Sequence, residues 1–101
     1  MQFGLSTEDI TKIKEVLAKF AEIERVLIYG SRAKGNYKPS SDIDLTLVGE
    51  KLTLTILQEL ENEIDDLLLP YKFDISIFHQ ISNSDLIAHI ERVGKELRFY
   101  P

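Results

Sequence analysis

The chain has 101 residues, 44% hydrophobic content, no cysteine and a formal net charge of −5. That is enough apolar material for one compact core and no more, so residues 1–101 are expected to form a single domain of modest stability. Disulfides and thiolate metal sites are excluded, and the acidic balance argues against general nucleic-acid binding.

The N-terminus, MQFGLSTEDI, is polar and carries neither a leader-type segment nor a membrane-length apolar run, which makes a cytoplasmic location the expectation. Ser6 with Asp9 forms a variant capping box, and Ile10, Ile13, Leu17 and Phe20 recur at helical spacing, predicting a helix over 7–21. A buried strand follows over 24–30, and SRAKG after it has room for only one or two helical turns. The apolar run DIDLTLV predicts a second strand over 42–48. Beyond the break at Gly49, Leu54, Leu57, Leu60, Ile64, Leu67 and Leu68 mark a long helix closed by Pro70. Its acidic side, Glu59, Glu61, Glu63, Asp65 and Asp66, is most simply a wet face. A third strand is expected over 72–78. Ser82 with Asp85 then caps a last helix with Leu86, Ile90, Val93 and Leu97 on its apolar side. This order predicts an α/β (α+β) fold: a small mixed sheet of about three strands, flanked by helices largely on one face. The first two strands should be antiparallel, and the second and third parallel through a right-handed crossover.

The chemistry concentrates in GSRAKGNYKPSSDIDL, residues 30–45. Side chains alternate along a strand, so Asp42 and Asp44 point to the same face. Two carboxylates this close repel unless a cation lies between them, and Mg²⁺ suits an all-oxygen site completed by substrate phosphates. The turn before them supplies the phosphate half. Gly30 admits a close approach, Ser31 offers a hydroxyl and an amide, and Arg32, Lys34 and Lys38 add positive charge with no acid between Gly30 and Ser41. Asp74, inside the strand-like FDISIF, lands beside Asp42 and Asp44 if the second and third strands are neighbours, and it would be costly to bury without a partner. Lys38, His79 and His89 read as ordinary surface residues, and Tyr29 as core, while Tyr37 flanks the turn where a base could stack.

Gly30-Ser31, then residues 32 to 41, then Asp42-x-Asp44, and later the lone Asp74 resemble the nucleotidyltransferases related to DNA polymerase beta, specifically the minimal nucleotidyltransferases. The resemblance runs the length of the chain, with Lys34 where arginine is common in the minimal group. It implies nucleotidyl transfer from a nucleoside triphosphate, ATP foremost, with two Mg²⁺ ions (or Mn²⁺) held by Asp42, Asp44 and Asp74. Gly30, Ser31, Arg32 and Lys34 would bind the nucleotide phosphates. It further implies an antitoxin that transfers AMP to a tyrosine of a HEPN-domain toxin. Larger relatives carry extra acceptor-binding domains, so here the acceptor surface is expected from a protein partner or from self-association. An alternative reading is a non-catalytic nucleotide-binding subunit that neutralises its partner by contact, and a third is nucleotidylation of a small molecule or of RNA.

Overall fold

The computed structural model describes residues 1–99. Helix α1 (Thr7–Leu17) leads to strand β1 (Arg25–Tyr29), the short helix α2 (Gly30–Lys34), β2 (Ile43–Val48), α3 (Leu54–Asp65) and β3 (Phe73–Ile77). A 3₁₀ turn, helix α4 (Ser84–Val93) and the two-residue strand β4 (Lys95–Glu96) complete it. The sheet order is β3-β2-β1-β4, with β1 antiparallel to both β2 and β4, and β2 parallel to β3. Both predicted strand pairings are therefore present, and the sheet has one strand more than expected. β4 is too short to give a sequence pattern.

Alternation sorts the strands cleanly. Val26, Ile28, Ile43, Leu45, Leu47, Ile75 and Ile77 are buried in one core with Ile10, Ile13, Val16 and Leu17 of α1 and Leu60 and Ile64 of α3. The other sheet face carries Tyr29, Asp44, Thr46, Asp74 and Ser76, and α4 packs there against the end of β1. The expectation that helices keep largely to one face holds for α1 and α3 and fails for α4.

Four helix boundaries differ from the pattern. α1 stops at Leu17 because the backbone tightens into turns, Lys19 N–H to Val16 and Phe20 N–H to Leu17, although Phe20 still enters the core. α3 stops at Asp65, and Leu68 adopts a left-handed backbone with φ 56° and is 88% exposed, so it does not belong to the helix's apolar face. The cap of α4 is Asn83 rather than Ser82. Its Oδ1 accepts from the amides of both Asp85 and Leu86, at 2.9 and 3.2 Å. Leu97 is buried not as a helix residue but beside the sheet, with its N–H donating to Val26 O at 2.8 Å. At the first helix the expected cap is present: Ser6 Oγ accepts from Asp9 N–H at 3.1 Å.

Arg32 ties the loops to this frame. It is 2% exposed, and its Nε and Nη2 donate to Ser41 O at 3.1 and 3.0 Å. Nη2 also donates to Pro39 O at 3.2 Å, and Nη1 to Phe3 O at 2.9 Å. The guanidinium lies between the rings of Tyr37 and Tyr71, 5.4 and 5.2 Å from their centroids. Only a planar fork of donors can serve the N-terminal segment and the loop between α2 and β2 together. Arg32→Lys should therefore fail to substitute. It is expected to cost about 3 kcal/mol, roughly the value of one or two hydrogen bonds from a charged donor, read as a lower urea midpoint with unchanged slope.

Candidate active site

β1 delivers Tyr29 and then, at Gly30, the chain turns directly into α2. Gly30 has φ 73°, and a Cβ built on it would collide with Oδ2 of Asp44. Only glycine permits both the left-handed backbone and that contact. The phosphate-type turn and the carboxylate are thus immediate neighbours. α2 is five residues long and ends on Gly35, so what it offers an anion is its unpaired first amides rather than a summed dipole.

The parallel register of β2 and β3 sets Asp44 opposite Asp74, and the antiparallel register of β1 sets Tyr29 opposite Asp44. A row Tyr29–Asp44–Asp74 therefore crosses the sheet at the mouth of the Gly30 turn. Asp42 lies exposed just before β2, near enough for its charge to act on Asp44. The Asp44 carboxyl is pushed above its ordinary range, first by burial, then by the charge of Asp74 and then of Asp42. No side-chain hydrogen bond or ion pair among the described residues engages Ser31, Asp42, Asp44 or Asp74.

One row deeper, Thr46 is wholly buried, accepts from Ser76 Oγ at 3.0 Å, and closes the floor with the buried Tyr29 ring. Burial raises the Tyr29 phenol above its usual value, against the lowering effect of a hydrogen bond to Ser76. The expectation of Tyr29 in the interior matches. Ser76 was not singled out by the sequence, and His89, expected to be an ordinary surface residue, is half-buried. The His89 ring meets that of Tyr29 edge-on at 6.1 Å, and its charge eases the ionisation of Asp44. Nothing local to α4 signals this contact, which depends on how the last helix folds back over β1.

The structure does not bring every expected residue here. Arg32 is a correction: its guanidinium is buried among backbone carbonyls and two tyrosine rings, and it is not available to phosphate in this arrangement. Tyr37 covers that guanidinium instead of standing free to stack on a base. Lys34 is exposed at the end of α2, and neither it nor the exposed Lys38 has an ion-pair partner among the described residues. A hollow lined by Glu61, Ile64, Asp65, Phe73 and Ile75 lies toward the α3 side and contains none of these groups.

Among the described residues no three potential ligands already surround a common point. The donor set nevertheless fits a hard divalent cation, being oxygen-only, unpaired and mutually repelling. The same repulsion gives a measurable signature. A raised carboxyl pKa is a stability penalty that is fully present above the folded-state value and is relieved as pH falls through it. Asp44→Asn is therefore expected to melt at or above the parent temperature near neutral pH. That advantage should vanish on acidification toward the ordinary carboxyl value of 3.8 in thermal melts across a pH series.

Comparison with known proteins agrees with this geometry. Residues 11–98 match the family model described as polymerase beta, nucleotidyltransferase. A Methanocaldococcus jannaschii protein named as a candidate protein adenylyltransferase is 34% identical over 85 residues, covering 83% of this chain and 86% of that protein. The MntA-type candidate protein adenylyltransferase of Haemophilus influenzae is 28% identical over 75 residues, 73% of this chain and 66% of that one. Among solved structures, a chain of a toxin–antitoxin complex with AMP-PNP superposes with a TM-score of 0.72 at 21% identity, covering 88% of this chain and 72% of its own. A chain from the complex of tri-AMPylated Shewanella oneidensis HEPN toxin with its MNT antitoxin gives 0.68 at 18% identity, over 93% and 72%. At such identities the structural likeness speaks to the fold, while the family match and the archaeal relative speak to kinship. Among the described residues no helix is long and apolar enough to cross a membrane. The chain belongs to the polymerase-beta family of nucleotidyltransferases.

Proposed function

We propose that this chain transfers AMP from ATP to a protein hydroxyl, a tyrosine of a HEPN-type partner, and acts as the antitoxin of that partner. The observation that carries the reading is the contact of Asp44 with Gly30 while Asp44 stands in register with Asp74. It joins a phosphate-accepting turn to an unpaired carboxylate cluster in one place. The names of the relatives as protein adenylyltransferases, and the toxin–antitoxin complexes among the fold neighbours, supply the acceptor class.

In this reading the acceptor oxygen forms a bond to the α-phosphorus, the bond from that phosphorus to the α–β bridging oxygen breaks, and pyrophosphate leaves. The hydroxyl proton passes to Asp74 or through it to solvent. Asp42, Asp44 and Asp74 would hold one or two Mg²⁺ ions, which when bound neutralise triphosphate charge and lower the pKa of the attacking hydroxyl. Gly30 and Ser31 receive the phosphates through backbone amides and the Ser31 hydroxyl. Lys34, exposed at the end of α2, contributes charge at longer range. Asp74 is exposed on β3, an edge strand of the sheet, so a macromolecular acceptor can approach it from the side.

A purely non-catalytic subunit would have no need to keep Ser31, Asp42, Asp44 and Asp74 unengaged while confining Asp44 among like charges. The decisive experiment incubates the purified chain and a HEPN-type partner with Mg²⁺ and ATP labelled at the α-phosphate. Label is expected on the partner and on its tyrosine. Asp44→Asn should lower transfer at least about a hundredfold, since groups one layer beyond a metal's ligands already cost ten- to a hundredfold. Tight partner binding with no label from any nucleoside triphosphate would overturn the reading.

A further inference from the structure

We propose that His89 is a nucleotide-contacting residue, its ring nitrogens turned to a phosphate group held at the Gly30–Ser31 turn. The inference rests on the nucleotidyl-transfer reading and adds a residue from α4 that lies outside the Gly-Ser and Asp-x-Asp pattern.

Position comes first. His89 meets Tyr29 edge-on at 6.1 Å with the rings 80° apart, and Tyr29 immediately precedes Gly30 and stands in register with Asp44. α4 packs against both α2 and the end of β1. The imidazole therefore stands on the phosphate side of the carboxylate row, away from the β3 edge where an acceptor would approach. Neither ring nitrogen has a hydrogen-bond or ion-pair partner among the described residues, although the side chain is half-buried. No buried side-chain nitrogen or oxygen among the described residues lacks a partner, so these nitrogens meet solvent and can exchange water for a ligand. A need exists on this wall, because the turn's own arginine is committed to Phe3, Pro39 and Ser41 carbonyls. The remaining cation of α2, Lys34, sits exposed on its last turn.

The test separates contact from packing. Binding of Mg²⁺ with a non-hydrolysable ATP analogue is measured by calorimetry without acceptor, alongside KM for ATP and for the acceptor, in the parent, His89→Phe and His89→Gln. Phe keeps a ring against Tyr29 and loses both nitrogens, and Gln restores a donor. Phe is expected to weaken analogue binding and raise KM for ATP roughly tenfold, the effect of losing one charge-assisted hydrogen bond, with KM for the acceptor unchanged. Gln should recover part of the loss. If Phe binds the analogue like the parent while remaining folded, His89 is a packing residue and the inference fails alone. If acceptor KM moves instead of ATP KM, the ring serves the acceptor and the inference also fails. A folded parent that binds no nucleoside triphosphate would overturn both this inference and the reading beneath it.

Discussion

Two carboxylates in register on adjacent parallel strands are the constraint around which the structure is organised. Asp44 and Asp74 stand opposite each other, Asp42 adds a third negative charge, and among the described residues no salt bridge engages any of them, the charge of His89 only partly offsetting the repulsion at Asp44. Neutral or oppositely charged residues in this row would make a more stable sheet, since directly opposed like charges are unfavourable. The penalty is tolerable because the row lies on the outer face, while the opposite face of the same strands carries the apolar core that holds the register. A one-residue slip of β3 would turn Phe73, Ile75 and Ile77 away from that core, so the hydrophobic face itself enforces the placement of the acids.

The turn at Gly30 and the hub at Arg32 serve that placement in different ways. Gly30 lets the backbone of the turn pass against the Asp44 carboxyl, where any Cβ would collide. Arg32, two residues on, anchors the loop that returns the chain to Asp42, drawing it down onto Phe3 and between two tyrosine rings. A cation in a phosphate-type turn thus contributes to architecture, and positive character at the site is left to backbone amides, to Lys34 and, on our inference, to the imidazole of α4. Buried charge is costly unless fully hydrogen-bonded, and the carbonyls of Phe3, Pro39 and Ser41 together meet that requirement.

Much of the fold was legible because it follows from periodicity. Alternation in DIDLTLV and FDISIF identified β2 and β3 and assigned their faces, and the need for the Gly30 turn to meet the acids gave the antiparallel pairing of β1 with β2. What escaped were features decided by a few backbone angles or by distant contacts. The left-handed Leu68 ends α3 before its apolar pattern does. Gly94 releases the chain into a two-residue strand, so Leu97 is buried at the sheet rather than on a helix. The juxtaposition of Gly30, Asp44 and Asp74 was readable from residue type and spacing, whereas the commitment of Arg32 depends on carbonyls nine and twenty-nine residues away in sequence. His89 was misread as an ordinary surface residue, because its contact with Tyr29 arises only through the return of α4 across β1.

The most direct test of the central claim is a crystal of this chain grown with Mn²⁺ and a non-hydrolysable ATP analogue, with anomalous scattering used to place the metal. The account predicts manganese bound to the carboxylates of Asp44 and Asp74, with the triphosphate against Gly30 and Ser31. Manganese at another cluster, or a triphosphate seated away from the Gly30 turn, would contradict it.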